Sequence, residues 1–371
     1  LTKPAAPRLA PAIALDLARG LAALTVLFYH VRGSNWAELG LMPVAQRNLA
    51  SEVFFGLGRL GGEAVLVFFA LSGFLVGGGV ITRVRAKTFD LTRYAIERAT
   101  RILIPLVPAC LLTAIVTMLI MHRPLNGLDL LGNMVGLNEV LVPTLTYDKP
   151  LWSLAFEIWF YVMAGAIAAW ITRGGILPLV ATAAVAGLFM GVLGPECLIF
   201  WSFGSLASLT FDSTKKVWLA AFGLAVMITG VVSFQLGNGS KLFATVAVVP
   251  LTLAQGMVAM GFSLMLPWLC KPNTDAALGF IRRPARMLSA ISYSLYLTHA
   301  PVNASLSLLL PKFYTIDASS FVAFTARMTI CTLVATAFYF AFERQTGAVR
   351  RAVSGRLTAA RSKALRPECL Q

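Results

Sequence analysis

Residues 16–30, DLARGLAALTVLFYH, place Asp16 and Arg19 at one end of an apolar run and His30 at the other. On a helix, the eleven-residue step from Arg19 to His30 makes three turns with about 20° left over and rises roughly 16 Å, so the two share a face. Asp16 lies one turn before Arg19. Two readings of this pattern stand side by side. In one, Asp16 and Arg19 pair across i,i+3 at a helix start and His30 anchors the other end. In the other, the shared face lines a route across the segment, because ionisable groups in membrane spans usually face a bundle interior or a watered cavity. On such a face an imidazole, which titrates near neutrality, is the group suited to exchange a proton. Three further places carry groups of this kind. They are Glu157 within LWSLAFEIWFY, the arginines Arg98 and Arg101 within ERATRILIP, and His299 beside Tyr293 and Tyr296 in ISYSLYLTHAP.

The elements that must position these groups are membrane spans. Of the 371 residues, 58% are hydrophobic and 13% charged, and the mean hydropathy is +0.77. A soluble domain carries about twice that charged fraction. The apolar residues fall in blocks near the length that crosses a hydrocarbon core as a helix. Ten spans are predicted, at 13–31, 63–82, 101–121, 151–172, 176–194, 196–211, 217–236, 243–269, 287–309 and 321–342, so the fold class is all-α and polytopic. Segment 125–145 is semi-apolar and suits a re-entrant piece. The first apolar run lacks a cleavage-site pattern and is read as a retained span.

The formal charge of +15 could indicate nucleic acid, but its distribution argues for topology. With both termini cytoplasmic, inside segments hold 22 basic residues and outside segments seven, while Arg19 and Arg327 lie within spans. This is the bias that orients membrane proteins, and no nucleic-acid partner is expected. Residues 1–343 read as one membrane domain and 344–371 as a basic cytoplasmic tail, solvated or bound to lipid headgroups. The five cysteines are scattered without a CxxC pair, so neither disulfides nor a metal site is expected.

Five stretches together resemble acyltransferase family 3, the integral-membrane O-acyltransferases. LDLARGLAALTVLFYH is similar to that family's opening helix with its Arg-x10-His spacing, and GGEAVLVFFALSGFLVG to its Gly-rich second helix. ERATRILIP carries the RxxR before the third, LWSLAFEIWFY resembles the WSLxxExxFY helix, and ISYSLYLTHAP the late SYSLYLxHxP helix. They occur in family order from residue 13 to 301. Where many members have a double Glu, this chain has Glu157 followed by Ile158.

The resemblance implies transfer of an acyl group, commonly acetyl from acetyl-CoA, to a hydroxyl of a carbohydrate or lipid-linked glycan. It implies a bacterial cytoplasmic membrane and a cell-envelope product such as an O-acetylated polysaccharide. In that reading His30 is the general base and Glu157 orients or stabilises its ring, as the third member of a triad does. Arg98, Arg101 and Arg19 would hold the phosphates of acyl-CoA, since a guanidinium fork matches phosphate oxygens. Asp16, Glu63, Ser72, Trp152, Tyr296 and His299 are candidates for acceptor contacts. Beside those roles, Arg98 and Arg101 also read as ordinary positive-inside charge, Gly73 and Gly77 around Ser72 as a close-packing pair, and Trp152 as an interfacial aromatic. Membrane lipids are expected partners, and the oligomeric state, a homo-oligomer included, is open. The rival reading is a transporter in which Asp16, Arg19, Glu63, Glu157 and His299 form a translocation path; no inverted repeat accompanies it.

Overall fold

The computed structural model describes residues 12–210, 217–239 and 249–364. Lys3, Arg8, Lys215, Lys216, Lys241 and Cys369, the first residues of the span predicted at 243–269, and the end of the basic tail lie outside the described residues. The described chain is a helical bundle whose β-structure is two isolated bridges.

In chain order the helices are α1 (Ile13–Asn35), α2 (Leu49–Leu57), α3 (Gly61–Ser72), α4 (Gly78–Arg85), α5 (Leu91–Ile115), α6 (Gly127–Met134) and α7 (Leu151–Arg173). There follow α8 (Ile176–Leu188), α9 (Pro195–Ala207), α10 (Val217–Gly239), α11 (Leu251–Leu269), α12 (Pro272–Ala277), α13 (Arg282–Leu306), α14 (Ala318–Ala341) and α15 (Thr346–Ala364). Eight helices among the described residues are long and apolar enough to cross a membrane. The other two predicted spans exist as helices but miss those limits. The segment 196–211 forms the 13-residue α9, and 287–309 falls on α13, which is long but carries Arg282, Arg283, Arg286 and a row of hydroxyls.

Sequence dictates how these helices meet. A Cβ on Gly73 would strike the carbonyl oxygen of Trp201, and one on Gly204 that of Ala70, so α9 crosses the α3 segment on bare backbone. This supports the packing reading of the Gly73/Gly77 pair, since a Cβ on Gly77 would strike Ser205 Oγ. Small residues are the usual device for close approach where lipid removes the hydrophobic drive between helices. The five residues Gly73–Gly77 form a π-helical turn joining α3 to α4. Gly223 and Gly261 bring α10 and α11 together in the same way.

The centre is α1 against α13 and α3, with α14 behind α13. Leu27, Val31, Leu295, Cys331 and Ala335 fill the α1–α13–α14 interface. At one end, Ile13 N–H donates to Asp275 Oδ1 at 2.6 Å. The cap of α1 thus comes from α12, since Ala12 has no side chain to offer. At the other end Phe28, Trp36, Phe54, Phe321 and Phe324 pack largely edge-to-face. Chain starts and ends place Arg83, Arg85, Arg93, Arg286 and α15 at the first end, called the basic end below. Segment 135–150 is a loop that buries Asn138, Thr144 and Asp148, and Asn138 Nδ2 donates to Leu151 O at 2.9 Å, fixing the start of α7.

Candidate active site

A cavity of about 740 Å³ opens at the basic end, within the range of small-molecule sites. Helices α1, α3, α5, α7, α13 and α15 wall it. Six arginines line it: Arg19, Arg98, Arg101, Arg286, Arg344 and Arg350. So do Asp16, Glu97, Glu157 and Glu343, but two of these acids are already paired. Glu97 pairs with Arg83 and Arg93, both at 3.1 Å. Glu343 receives Arg101 Nη1 at 2.7 Å, Ser294 Oγ at 2.6 Å and Ser294 N–H at 3.1 Å. Asp16 accepts from Ser289 Oγ at 3.0 Å and forms no ion pair with Arg19, so the i,i+3 pair is absent.

Arg98 and Arg101 sit deeper than their place before the third span implied. Asp90 Oδ1 accepts from Arg93 N–H at 2.7 Å and starts α5 at Leu91, ten residues before the predicted span. The two arginines are therefore about 10 and 15 Å along the helix. They also differ in partners. The Arg101 guanidinium is bound to Glu343, whereas Arg98 stacks on the Tyr161 ring at 5.5 Å and its Nε is buried without a hydrogen bond.

The mid-depth wall is a hydrogen-bonded cluster. Tyr161, one turn after Glu157, donates its hydroxyl to that carboxylate. Ser72 Oγ receives Trp201 Nε1–H at 3.2 Å and lies 3.4 Å from Tyr161 Oη. Glu157 is thus tied to Tyr161, whose hydroxyl meets Ser72 and whose ring carries Arg98. No hydrogen bond joins it to His30, so the predicted support of the His30 ring by Glu157 is not the geometry present. Helix α7 starts at Leu151, directly after the buried loop, and its Glu157 carboxylate lines the cavity with Tyr161.

The deep end of the cavity is closed by Tyr296 and Ser153, whose hydroxyls are 2.6 Å apart, with Tyr296 Oη also donating to Pro150 O at 2.9 Å. Behind Tyr296 lie the two imidazoles. The His299 ring is 5.9 Å from the Tyr296 ring and 5.0 Å from that of His30. Neither histidine lines the cavity itself. His299 Nδ1 faces the carbonyl oxygens of Leu295 and Tyr296 at 3.0 and 2.9 Å. Two acceptors require the proton on Nδ1, which leaves the lone pair on Nε2; that nitrogen is buried and without a partner.

Arg327, fully buried, donates to Asn303 Oδ1 and Ser307 Oγ, each at 3.1 Å, and to Leu310 O at 2.8 Å. Asn303 in turn donates to Ser34 Oγ at 2.8 Å and reaches the His30 carbonyl at 3.4 Å. This network holds α1 and α13 in register beside the histidines.

The remaining predicted residues lie apart. Glu63 is buried, bonded to Gln235 of α10, and outside the cavity. Trp152 packs on Phe69 and Phe156, also outside it. Asp16, Arg19 and Glu157 share the cavity, but Glu63 and His299 do not, so the set expected of a transporter lines no common route. Among the described residues no three His, Cys, Asp or Glu side chains converge as a metal site. In the buried loop, Asp148 receives Thr113 Oγ at 3.1 Å through Oδ2 while Oδ1 has no partner. Desolvation holds this carboxyl above the usual carboxylate range, only partly offset by the Thr113 hydroxyl.

Sequence reasoning read Tyr161 only as an interfacial aromatic, not as the partner of Glu157, and missed Glu343, Arg286, Arg344 and Arg350. The i,i+4 spacing from Glu157 could have indicated Tyr161. The others stood in segments that read as ordinary basic loops. No curated protein and no solved structure matches the chain. A family model described as an acyltransferase domain matches residues 13–342, covering the bundle that surrounds both the arginine cavity and the histidines. The chain therefore belongs to acyltransferase family 3 and is an integral membrane acyltransferase.

Proposed function

We propose that this protein is an acyl-CoA-dependent O-acyltransferase with the donor in the arginine cavity and proton transfer at His30. The observation that carries the reading is the cavity: five guanidiniums without a carboxylate partner surround a volume whose far end abuts two imidazoles. Such a site favours a ligand with several phosphate charges at one end and an uncharged arm at the other. The basic end faces the cytoplasm in this reading, where acyl-CoA is available.

The acceptor hydroxyl gives its proton to His30 as its oxygen attacks the thioester carbonyl. A tetrahedral intermediate forms and collapses, the C–S bond breaks, and the CoA sulfur leaves and takes up the proton from the imidazolium. The product is an ester plus free CoA thiol. His299, with its proton fixed on Nδ1, presents a lone pair next to His30 and stabilises the charge that His30 gains. Glu157 sets the spacing of Arg19 and Arg98 through Tyr161 rather than acting on the imidazole. An acetyl donor and a carbohydrate or glycan-linked hydroxyl acceptor of the cell envelope follow from the family resemblance.

The test is transfer of radiolabel from acetyl-CoA in membranes containing the full chain, compared with His30→Ala and Arg98→Ala at matched protein levels. Label entering a glycan or lipid fraction, lost in both variants, supports the reading. Absence of CoA binding by the wild-type protein refutes it.

A further inference from the structure

The arginines of the cavity form two tiers, and the outer one comes largely from the C-terminal segment. Arg19, Arg98 and Arg101 lie inward. Arg286, at the start of α13, and Arg344 and Arg350, around the start of α15, lie at the mouth and are exposed. Arg286 and Tyr296 both line the cavity from α13, so it runs about 15 Å along that helix from charged mouth to hydroxyl-bearing floor. Among the described residues neither Arg286 nor Arg350 is within ion-pair distance of a carboxylate, and the Arg344 guanidinium lies over the Phe340 ring at 5.5 Å. The first turn of α15 faces the same mouth through Thr346 and Gly347. The segment is anchored there because Glu343, immediately before Arg344, is buried and bonded to Arg101 and Ser294.

Two separated tiers of guanidiniums, of which Arg101 alone is paired with a carboxylate among the described residues, suit a ligand with two separated anionic groups. Resting on the acyl-CoA reading above, we propose that Arg344 and Arg350 bind the ribose phosphate monoester of the CoA donor. The inner tier then holds the diphosphate, and the uncharged arm lies between Tyr293 and Tyr296. The C-terminal helix is thereby part of the donor site and makes the enzyme discriminate CoA from dephospho-CoA. A phosphate monoester carries more charge than a diester and accepts forked hydrogen bonds from guanidinium. Exposed arginines at a cavity mouth are free to supply them.

The experiment measures equilibrium binding of CoA and of dephospho-CoA to the full-length protein in nanodiscs of neutral lipid and in nanodiscs containing anionic lipid. The proteins are wild type, Arg344→Ala/Arg350→Ala, Arg350→Lys and, as a control on the same helix outside the cavity, Arg351→Ala. We expect wild type to bind CoA roughly tenfold more tightly than dephospho-CoA, the scale of one charged hydrogen-bonded contact. The double variant is expected to bind both ligands with the weaker affinity, Arg350→Lys to recover part of the difference, and Arg351→Ala to match wild type. Equal binding of CoA by wild type and the double variant overturns the assignment, as does an equal loss for both ligands. A deficit confined to anionic nanodiscs also overturns it and assigns the arginines to lipid headgroups. A wild-type protein that binds neither ligand instead refutes the acyl-CoA reading itself.

Discussion

Arg98 and Arg101 are equivalent in the RxxR pattern, but the structure assigns them different work, and truncating each to Ala separates them. Arg101 Nη1 is 2.7 Å from Glu343 Oε1, with side-chain exposures of 41% and 2%. Unit charges about 4 Å apart interact by about 4 kcal/mol at an effective dielectric of 20. The exposed guanidinium is half screened, which leaves about 2 kcal/mol, between the values for surface and buried pairs. Arg101→Ala also leaves Glu343 buried with only the two Ser294 donors. Arg98 has no carboxylate partner, and its loss forfeits stacking on Tyr161 worth about 0.5–1 kcal/mol while relieving repulsion among the other guanidiniums. Unfolding followed by tryptophan fluorescence in detergent is therefore expected to show Arg101→Ala clearly destabilised and Arg98→Ala near wild type. A double-mutant cycle of Arg101→Ala with Glu343→Gln should give a coupling of about 2 kcal/mol, whereas Arg98→Ala should add independently to Glu343→Gln. For CoA binding the order reverses, with the larger affinity loss relative to stability in Arg98→Ala. Equal destabilisation by both truncations, together with no coupling between Arg101 and Glu343, would refute this division of labour.

Under the proposed mechanism, His30→Ala should lower transfer by about a hundred- to ten-thousand-fold and leave CoA binding intact; a parallel loss of binding would place His30 in the donor site instead. Gly73→Ala and Gly204→Ala should each destabilise by about 1–3 kcal/mol through overpacking, since each new Cβ meets a backbone carbonyl; unfolding midpoints check this. Asp148 has a folded-state pKa above its unfolded value, so the folded state binds the extra proton. Stability contributed by this group is full at low pH and declines as pH rises above the unfolded value near 4, by at most about 1.4 kcal/mol per pH unit. Asp148→Asn should remove that decline, and its stability relative to wild type should grow with pH in urea titrations at pH 4 to 7; a constant difference would show that the carboxyl is not the titrating group.

The bundle was legible because twenty-residue apolar blocks have few alternatives, and the segments bearing Arg19, Arg98, Glu157 and Tyr296 do meet at one cavity. Pairing between helices was not legible, because it depends on which faces meet. Nothing in the spacing of Glu157 and His30 shows that α7 starts directly after a buried loop and that its carboxylate lines the cavity with Tyr161. The boundary of α5 escaped for a local reason. Hydropathy sees the apolar core from residue 101, while the Asp90 cap starts the helix a full three turns earlier. The C-terminal segment read as a solvated tail because its composition is basic. Only the burial of Glu343 against Ser294 and Arg101 shows that its beginning is held at the cavity mouth.

A long helix that is not apolar enough to count as a membrane span contributes most to the site. Helix α13 supplies Arg286, Ser289, Tyr293 and Tyr296 to the cavity and His299 and Asn303 to the histidine network. Each of those side chains lowers the mean hydropathy of the segment, so the function of the helix is what hides it from a test of apolarity. Its polar groups are affordable because α13 is covered by α1, α5 and α14 and because partners exist for them, from Asp16 on Ser289 to Glu343 on Ser294. Among the buried polar atoms left without partners are His299 Nε2, next to the His30 ring, and Arg98 Nε, beside the cavity. Buried polar atoms are costly when unpaired; in the proposed reading the first serves the proton transfer and the second the donor phosphates. In the proposed reading the Tyr296–Ser153 hydroxyl pair is the partition that the acyl group must reach, and substitution of Tyr296 should alter transfer far more than CoA binding.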